Sequence, residues 1–451
     1  MAFRFPGLKK TFVAIALLIA ASAAIVACGG GSKSSNNQHK ASGLKFRAFV
    51  SNPLFPNGLS NAPVLNIVDA TKDLLSFSSI SLTGTVAEAG LMAVSPDLSR
   101  TLVFSPSDST IAVIDNTTES VGSSVNGGST VSNFVLPGFT ESMFVAKDNV
   151  TAYAAVPSAP VTGQSPGAVL VLDLATGAIS ATIPVPAAHF VVPSPDGNNL
   201  LVFSDNSDAI TVISTILIGT NEDPRTVVTG TPLNHFDRPV WAVFHGSLAY
   251  IFNCGPECGG TAAGISTFTV GDAEPGLTTP VSAATYGLLS GTDLYVAGSP
   301  PHLPCGSGTA ASACGTLNIL DVSSMKITNP KPILITDGYH DRMEMGSNEQ
   351  LFIGAHSCSN VNLSGGEVRG CLSIFNTTDS KVVVPPQIGD ATGIQPIPGR
   401  NVVYVCQGGV FRIYDTTTDK LLVKNFPANS GQTDVIVGYS TDVKLVDPPP
   451  D

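Results

Sequence analysis

Four side chains with acid-base or ion-pairing capacity, Glu141, His189, Arg238 and Asp341, occupy equivalent places in a phrase that the chain repeats. Each stands seven residues before the position that Asp97 holds in its own copy, and Gly90, Thr392 and approximately Asp434 fill the same place in others. His235 and Asp237 sit beside Arg238 in NHFDRPV, as His340 and Arg342 sit beside Asp341 in YHDRMEM. Carboxylates, imidazole and guanidinium that converge on one space can ligate a divalent metal, hold an anionic small molecule or exchange protons with a substrate. The same groups can equally be solvated and paired as salt bridges. Both readings stay open.

The cysteines form a second constellation. Of the eight, six fall into local pairs: Cys254 with Cys258 in NCGPECGG, Cys305 with Cys314, and Cys358 with Cys371. In an exported chain such pairs are expected to be disulfides that staple long hairpin loops. Zinc would need four closely spaced ligands, and no CxxC or neighbouring pair of histidines supplies them. No CxxCH occurs either, so covalent haem is not expected. Cys406 reads as a buried free thiol. His302 and His356 lie near the stapled loops, which, held rigid on one rim, would make a binding surface or merely cover a sheet edge. Asp205-Asn206-Ser207-Asp208 lacks the glycine and closing Glu of a calcium loop, and no nucleophile elbow, P-loop or HExxH is present.

The elements that must carry these groups are strands. Charged residues make up only 12% of the chain, against 44 glycines and 33 prolines, which suits short strands joined by turns and not helical bundles. SPDLSRTLVF from Ser95 returns as SPDGNNLLVF from Ser194. A further phrase recurs eight times, starting at Val64, Thr110, Ala168, Ala209, Gly264, Thr316, Cys371 and Val410, as VLNIVDA, TIAVIDN, AVLVLDL and so on. Its mean spacing of about 49 residues is that of a four-stranded propeller blade. The expectation is therefore an all-β propeller of four-stranded antiparallel blades. It has eight blades by count, or seven if the divergent copy at Gly264 is not one.

The ring should close through a C-terminal strand, TDVIVGYS from Thr433, filling the missing innermost place of the first blade. Innermost strands would line a channel, and the loops after second strands would share one rim. Asp69, Asp115, Asp173, Asp321, Asp415 and Asn376 end third strands and are expected to form Asx turns, not to catalyse.

The first residues carry Arg4, Lys9 and Lys10 before an apolar run from Thr11 to Ala27, a secretory signal pattern. Ile25-Val26-Ala27-Cys28 resembles the lipobox of bacterial lipoproteins. That resemblance implies cleavage after Ala27, acylation of Cys28, and, from Gly29, the outer membrane over the inner one. The expected organisation is a signal peptide at 1–27, a flexible tether at 28–43, a propeller at 44–447 and a tail at 448–451. The formal charge of -12 and the lack of any basic run exclude nucleic acid as a partner. The expected partners are membrane lipid, reached through acylated Cys28, and a small molecule or envelope protein.

SPDG at Ser194, Leu294-Tyr295-Val296, Val403-Tyr404-Val405, Val113-Ile114-Asp115 and Ala175-Thr176-Gly177 resemble the YVTN-type propeller repeat, over about residues 44 to 445, although no copy holds the full tetrapeptide. That family is functionally broad and similar to the seven-bladed lactonase group. Two functions follow as expectations. One is a binding or interaction module that uses the funnel or the stapled rim. The other is a lactonase-like hydrolase whose polar channel, around Glu141, His189, Arg238 and Asp341, acts directly or through a divalent metal.

Overall fold

The computed structural model describes residues 41–56, 61–125, 127–231, 234–301, 303, 314–359, 361–362, 368–422 and 440–450. They build eight antiparallel blades. From the channel outwards, blade 1 comprises Asp442–Leu445, Arg47–Pro56, Asn61–Asp69 and Leu74–Ser81, and blade 2 Met92–Val94, Arg100–Ser105, Thr110–Asp115 and Asn133–Val135. Blade 3 comprises Ser142–Val145, Thr151–Val156, Ala168–Asp173 and Ala178–Pro184, and blade 4 Ala188–Pro193, Asn199–Ser204, Ile210–Ser214 and Arg225–Val228. Blade 5 runs Pro239–His245, Leu248–Asn253, Gly264–Thr269 and Thr278–Pro280, and blade 6 Tyr286–Ser290, Asp293–Gly298 and Cys314–Asp321, with Lys326–Ile327 and Ile333–Thr336 outside. Blade 7 runs Tyr339–Met345, Gln350–His356, Leu372–Asn376 and Lys381–Val383, and blade 8 Ala391–Pro396, Val402–Gln407, Val410–Asp415 and Lys420–Leu421. The divergent copy at Gly264 is a true third strand, so the count is eight.

The two middle strands of a blade are buried on both faces, which is why they read as unbroken apolar runs such as TLVF and AVLVL. Their side chains meet those of the next blade in a seam, and each fully buried Val, Leu, Ile or Phe contributes about 1.5–3 kcal/mol. Eight hydrophobic clusters fill the eight seams among the described residues. One of them joins Tyr404 and Ile413 of blade 8 to Phe46 and Val50 of blade 1, so the ring is closed.

The closing strand is Asp442–Leu445, paired with Ala48–Ser51, and not the segment expected from Thr433. Residues 433–439 lie outside the described residues. The phrase Thr-Asp-Val occurs twice, eight positions apart, and it is the second copy that closes the ring. That register buries Val443 in the seam and lets the Asp442 carboxylate accept from the Met92 amide of blade 2 at 2.8 Å. It also brings Asp447 to Arg47, whose guanidinium bridges Asp447 and the buried Glu119 at 2.7 Å each.

The recurring carboxylates are turn formers. Asp115 Oδ1 accepts the amides of Thr117 and Thr118 at 2.9 Å, and Asp69, Asp173, Asp321, Asn376 and Asp415 repeat the pattern. The SPD phrase is the same device between first and second strands: Asp97 accepts from Ser95 Oγ at 2.6 Å and the Ser99 amide at 3.0 Å. Cys254–Cys258 and Cys358–Cys371 are disulfides, as expected, and Cys314 is also disulfide-bonded. Cys305 lies outside the described residues. Cys406 is free and buried.

Candidate functional site

Inner strands begin at the same rim from which second strands leave, because the two are antiparallel neighbours. Four inner strands begin with an irregularity in pairing, which leaves His189, Val240, Asp341 and Thr392 unmatched in blades 4, 5, 7 and 8. A bulge of this kind adds one residue and redirects side chains locally. In blade 7 it lets the adjacent Asp341 and Arg342 both line the channel, which strict alternation forbids.

His189 lies between two carboxylates. Its Nδ1 is 2.6 Å from Asp205 Oδ1, its Nε2 2.7 Å from Glu141 Oε2, and its ring stacks on Phe190 with centroids 4.3 Å apart. Burial works to lower the imidazole pKa, but the two carboxylates outweigh it and raise it, which favours the protonated ring. The hydrogen bond from His189, with weaker help from His356 and Arg342, holds Glu141 below the usual carboxylate range.

Arg238 precedes its strand in a left-handed conformation with φ of 54°. Its amide donates to Asp208 at 3.1 Å and its Nη1 to the Asn206 carbonyl, so the 205–208 turn that fails as a calcium loop serves to anchor both His189 and Arg238. Asp237 instead accepts from the amides of Thr261 and Ala262 and so ties down the stapled loop of blade 5.

Glu141, His189, Asp205 and Arg238 border a cavity of about 310 Å³, together with Tyr339, His356 and Cys258 of the stapled turn. Funnel and stapled rim are thus one site. Glu257, in the same turn, accepts from the Ser299 amide of blade 6 at 2.7 Å, and burial pushes its pKa up to about 7. Two further cavities share Glu141 and Phe190 with the mouth and run down the channel. Gly90, Asp341 and Thr392 line one of them, and the Thr392 carbonyl accepts from Arg342 Nε at 3.2 Å.

Not every expected residue joins the site. His235 is exposed and lines none of these cavities. His340 is fully buried, bonded through Nε2 to the Thr336 carbonyl at 3.0 Å, and burial pushes it down to about 4, so it is a neutral core residue. Asp434 and His302 lie outside the described residues. The sequence reading missed Asp205 as a partner of His189, and missed Glu257 and Tyr339. Asp205 sat in a discarded motif, and the other two acquire a role only once the ring brings the stapled turn of blade 5 beside blades 6 and 7.

Cys358, Cys371 and Asp390 bring ligand atoms within 4.8 Å of one another, but the two sulfurs are bonded to each other and so are not thiolate ligands. Among the described residues no other group of three such side chains meets that spacing.

Fold and site together define an eight-bladed β-propeller with a polar channel mouth narrowed by a disulfide-stapled turn. No family model matches the chain, and no curated protein matches it. Among solved structures it is similar to dihydro-heme d1 dehydrogenase NirN in complex with DHE, with a TM-score of 0.59 at 12% identity over 90% of this chain and 76% of that one. The periplasmic gluconolactonase of Pseudomonas aeruginosa aligns with a TM-score of 0.44 at 14% identity over 90% of this chain and 99% of its own. The likeness to the first is one of fold.

Proposed function

We propose that the chain is a lipid-anchored propeller of the bacterial cell envelope that binds a small organic molecule at the channel mouth. The observation that carries this reading is the meeting of the stapled turn at Cys258 with Glu141, His189 and Arg238 on one cavity. A cavity of about 310 Å³ with apolar walls at Phe190, Phe203 and Val240 and a few fixed polar groups has the character of a ligand site. Its walls are held by a disulfide and by the Asp205–His189–Glu141 bridge, which lowers the ordering cost of binding.

Binding is favoured over lactone hydrolysis by the state of His189. A general base needs a free lone pair, and both ring nitrogens here are engaged by carboxylates. The anchor is the acylated Cys28 implied by the lipobox resemblance, with each buried methylene contributing about 0.8 kcal/mol to membrane attachment. Residues 28–43 act as the tether, and the outer membrane is the expected site.

A thermal-shift screen of small metabolites against the detergent-solubilised full chain tests the reading. Hits are expected to lose their shift in Arg238→Gln and in the Cys254→Ala/Cys258→Ala double variant. Turnover of a lactone abolished by Glu141→Gln would overturn it in favour of the hydrolase. Labelling of cells with a palmitate analogue should mark the wild type and not Cys28→Ser.

A further inference from the structure

Below the mouth the channel is two-sided. Phe190, Trp241 and Tyr286, from the inner strands of blades 4, 5 and 6, form a continuous aromatic wall, with ring centroids 5.9 Å apart for the first pair and 4.8 Å for the second. Asp341, Arg342 and Glu344 of blade 7 border the same cavity of about 310 Å³, with Lys444 of the closing strand.

The two cations there are already engaged. Arg342 donates from Nε to the Thr392 carbonyl and from Nη1 to the Asp341 carbonyl at 2.8 Å, with the Asp341 carboxylate at 3.2 Å, and Lys444 lies 3.5 Å from Asp442. The acids are not. Asp341 Oδ1 is buried with no hydrogen-bond partner, and among the described residues Glu344 has no hydrogen bond or ion pair to its carboxylate. Burial pushes the Asp341 carboxyl up in pKa, whereas the Glu344 side chain opens into the channel. A carboxyl so placed gains most from positive charge brought beside it, and aromatic faces attract the same charge through their quadrupoles. A carboxylate guest would have to compete with Asp341 for Arg342 and with Asp442 for Lys444.

We propose that this mid-channel cavity is a binding site for a small organic ammonium ion, its apolar body on Trp241 and Tyr286 and its charged head between Asp341 and Glu344. This goes beyond the reading of the mouth, which involves different residues apart from Glu141 and Phe190.

Trp241 is the chain's single tryptophan, so its emission reports on this wall alone. Cyclohexylammonium, cyclohexanol and cyclohexanecarboxylate differ mainly in charge and are titrated into the detergent-solubilised full chain. The ammonium is expected to give a saturable change with a Kd about ten-fold below that of either other probe, within the range of desolvated cation–π and charge-assisted contacts. Asp341→Asn should weaken it about ten-fold and Glu344→Gln, the variant less at risk of misfolding, about three-fold. Both variants are compared only where the far-ultraviolet circular dichroism matches the wild type. Tighter binding of the carboxylate, equal binding of all three probes, or no saturable change would overturn the proposal. A surviving thermal shift at the mouth beside a failed titration here would refute the channel site alone.

Discussion

Glu257→Gln should stabilise the protein in a way that depends on pH. The carboxyl sits in the Cys254–Cys258 turn, accepts the Ser299 amide at 2.7 Å, and is raised by burial from 4.5 to about 7. The folded chain therefore keeps this proton to about pH 7, whereas the unfolded chain releases it near 4.5. Between those values the folded state binds more protons than the unfolded one, so stability falls as pH rises, and the whole penalty is present above pH 7. At 1.36 kcal/mol per unit the interval corresponds to about 3 kcal/mol, and partial solvation of the side chain leaves about 1–3 kcal/mol. Glutamine keeps an oxygen for Ser299 and carries no charge. Urea unfolding of wild type and variant should give equal midpoints at pH 4 and a higher midpoint for the variant at pH 8. Equal midpoints at both pH values would refute the reasoning, and a variant less stable at pH 8 would mean that the ionised carboxylate has a partner.

Ending the chain after Ser440 keeps the segment from Thr433 and removes the strand that closes the ring. The buried Val443 and Val446 alone represent about 3–6 kcal/mol, so the truncated chain should fail to give a cooperative melt in circular dichroism. Arg47→Met should cost about 3–5 kcal/mol in urea unfolding by stripping the buried Glu119 of its guanidinium, and adding Glu119→Gln should recover part of that loss. The Cys406 thiol, fully buried and raised in pKa, should resist alkylation of the reduced native protein until unfolding exposes it, as mass spectrometry of the labelled peptide would show.

How much could be read in advance depended on how often a feature recurs. The third strands, the Asx turns and the SPD turns were legible because the blades share one packing and turn problem and several of them solve it with the same residues. The closing strand was misplaced by one phrase because Thr-Asp-Val occurs twice, and only the fit of Val443 into the seam and of Asp447 onto Arg47 separates the copies. Glu141, His189 and Arg238 were found because they break the repeat where small or apolar residues are usual. His340 was wrongly grouped with them because the bulge at Asp341 changes which neighbours face the channel, and a bulge leaves no mark in composition.

Departure from the repeat also makes the channel lining asymmetric, which suits an asymmetric guest. A repeated blade would place equivalent side chains around the axis, giving an eight-fold lining with no preferred direction. Here blades 4 to 6 contribute Phe190, Trp241 and Tyr286 at mid-depth, while blade 7 contributes Asp341, Arg342 and Glu344 and the closing strand adds Lys444. The seams are held chiefly by the middle strands, which are apolar in every blade, although Phe190, Trp241 and Tyr286 also pack against them. An aromatic wall beside a charged one is costly to leave to water alone, because Asp341 Oδ1 lacks a hydrogen-bond partner and the rings are partly exposed. A guest that meets both walls at once must be amphipathic and must lie off the axis, with its apolar side towards blade 5 and its charge towards blade 7.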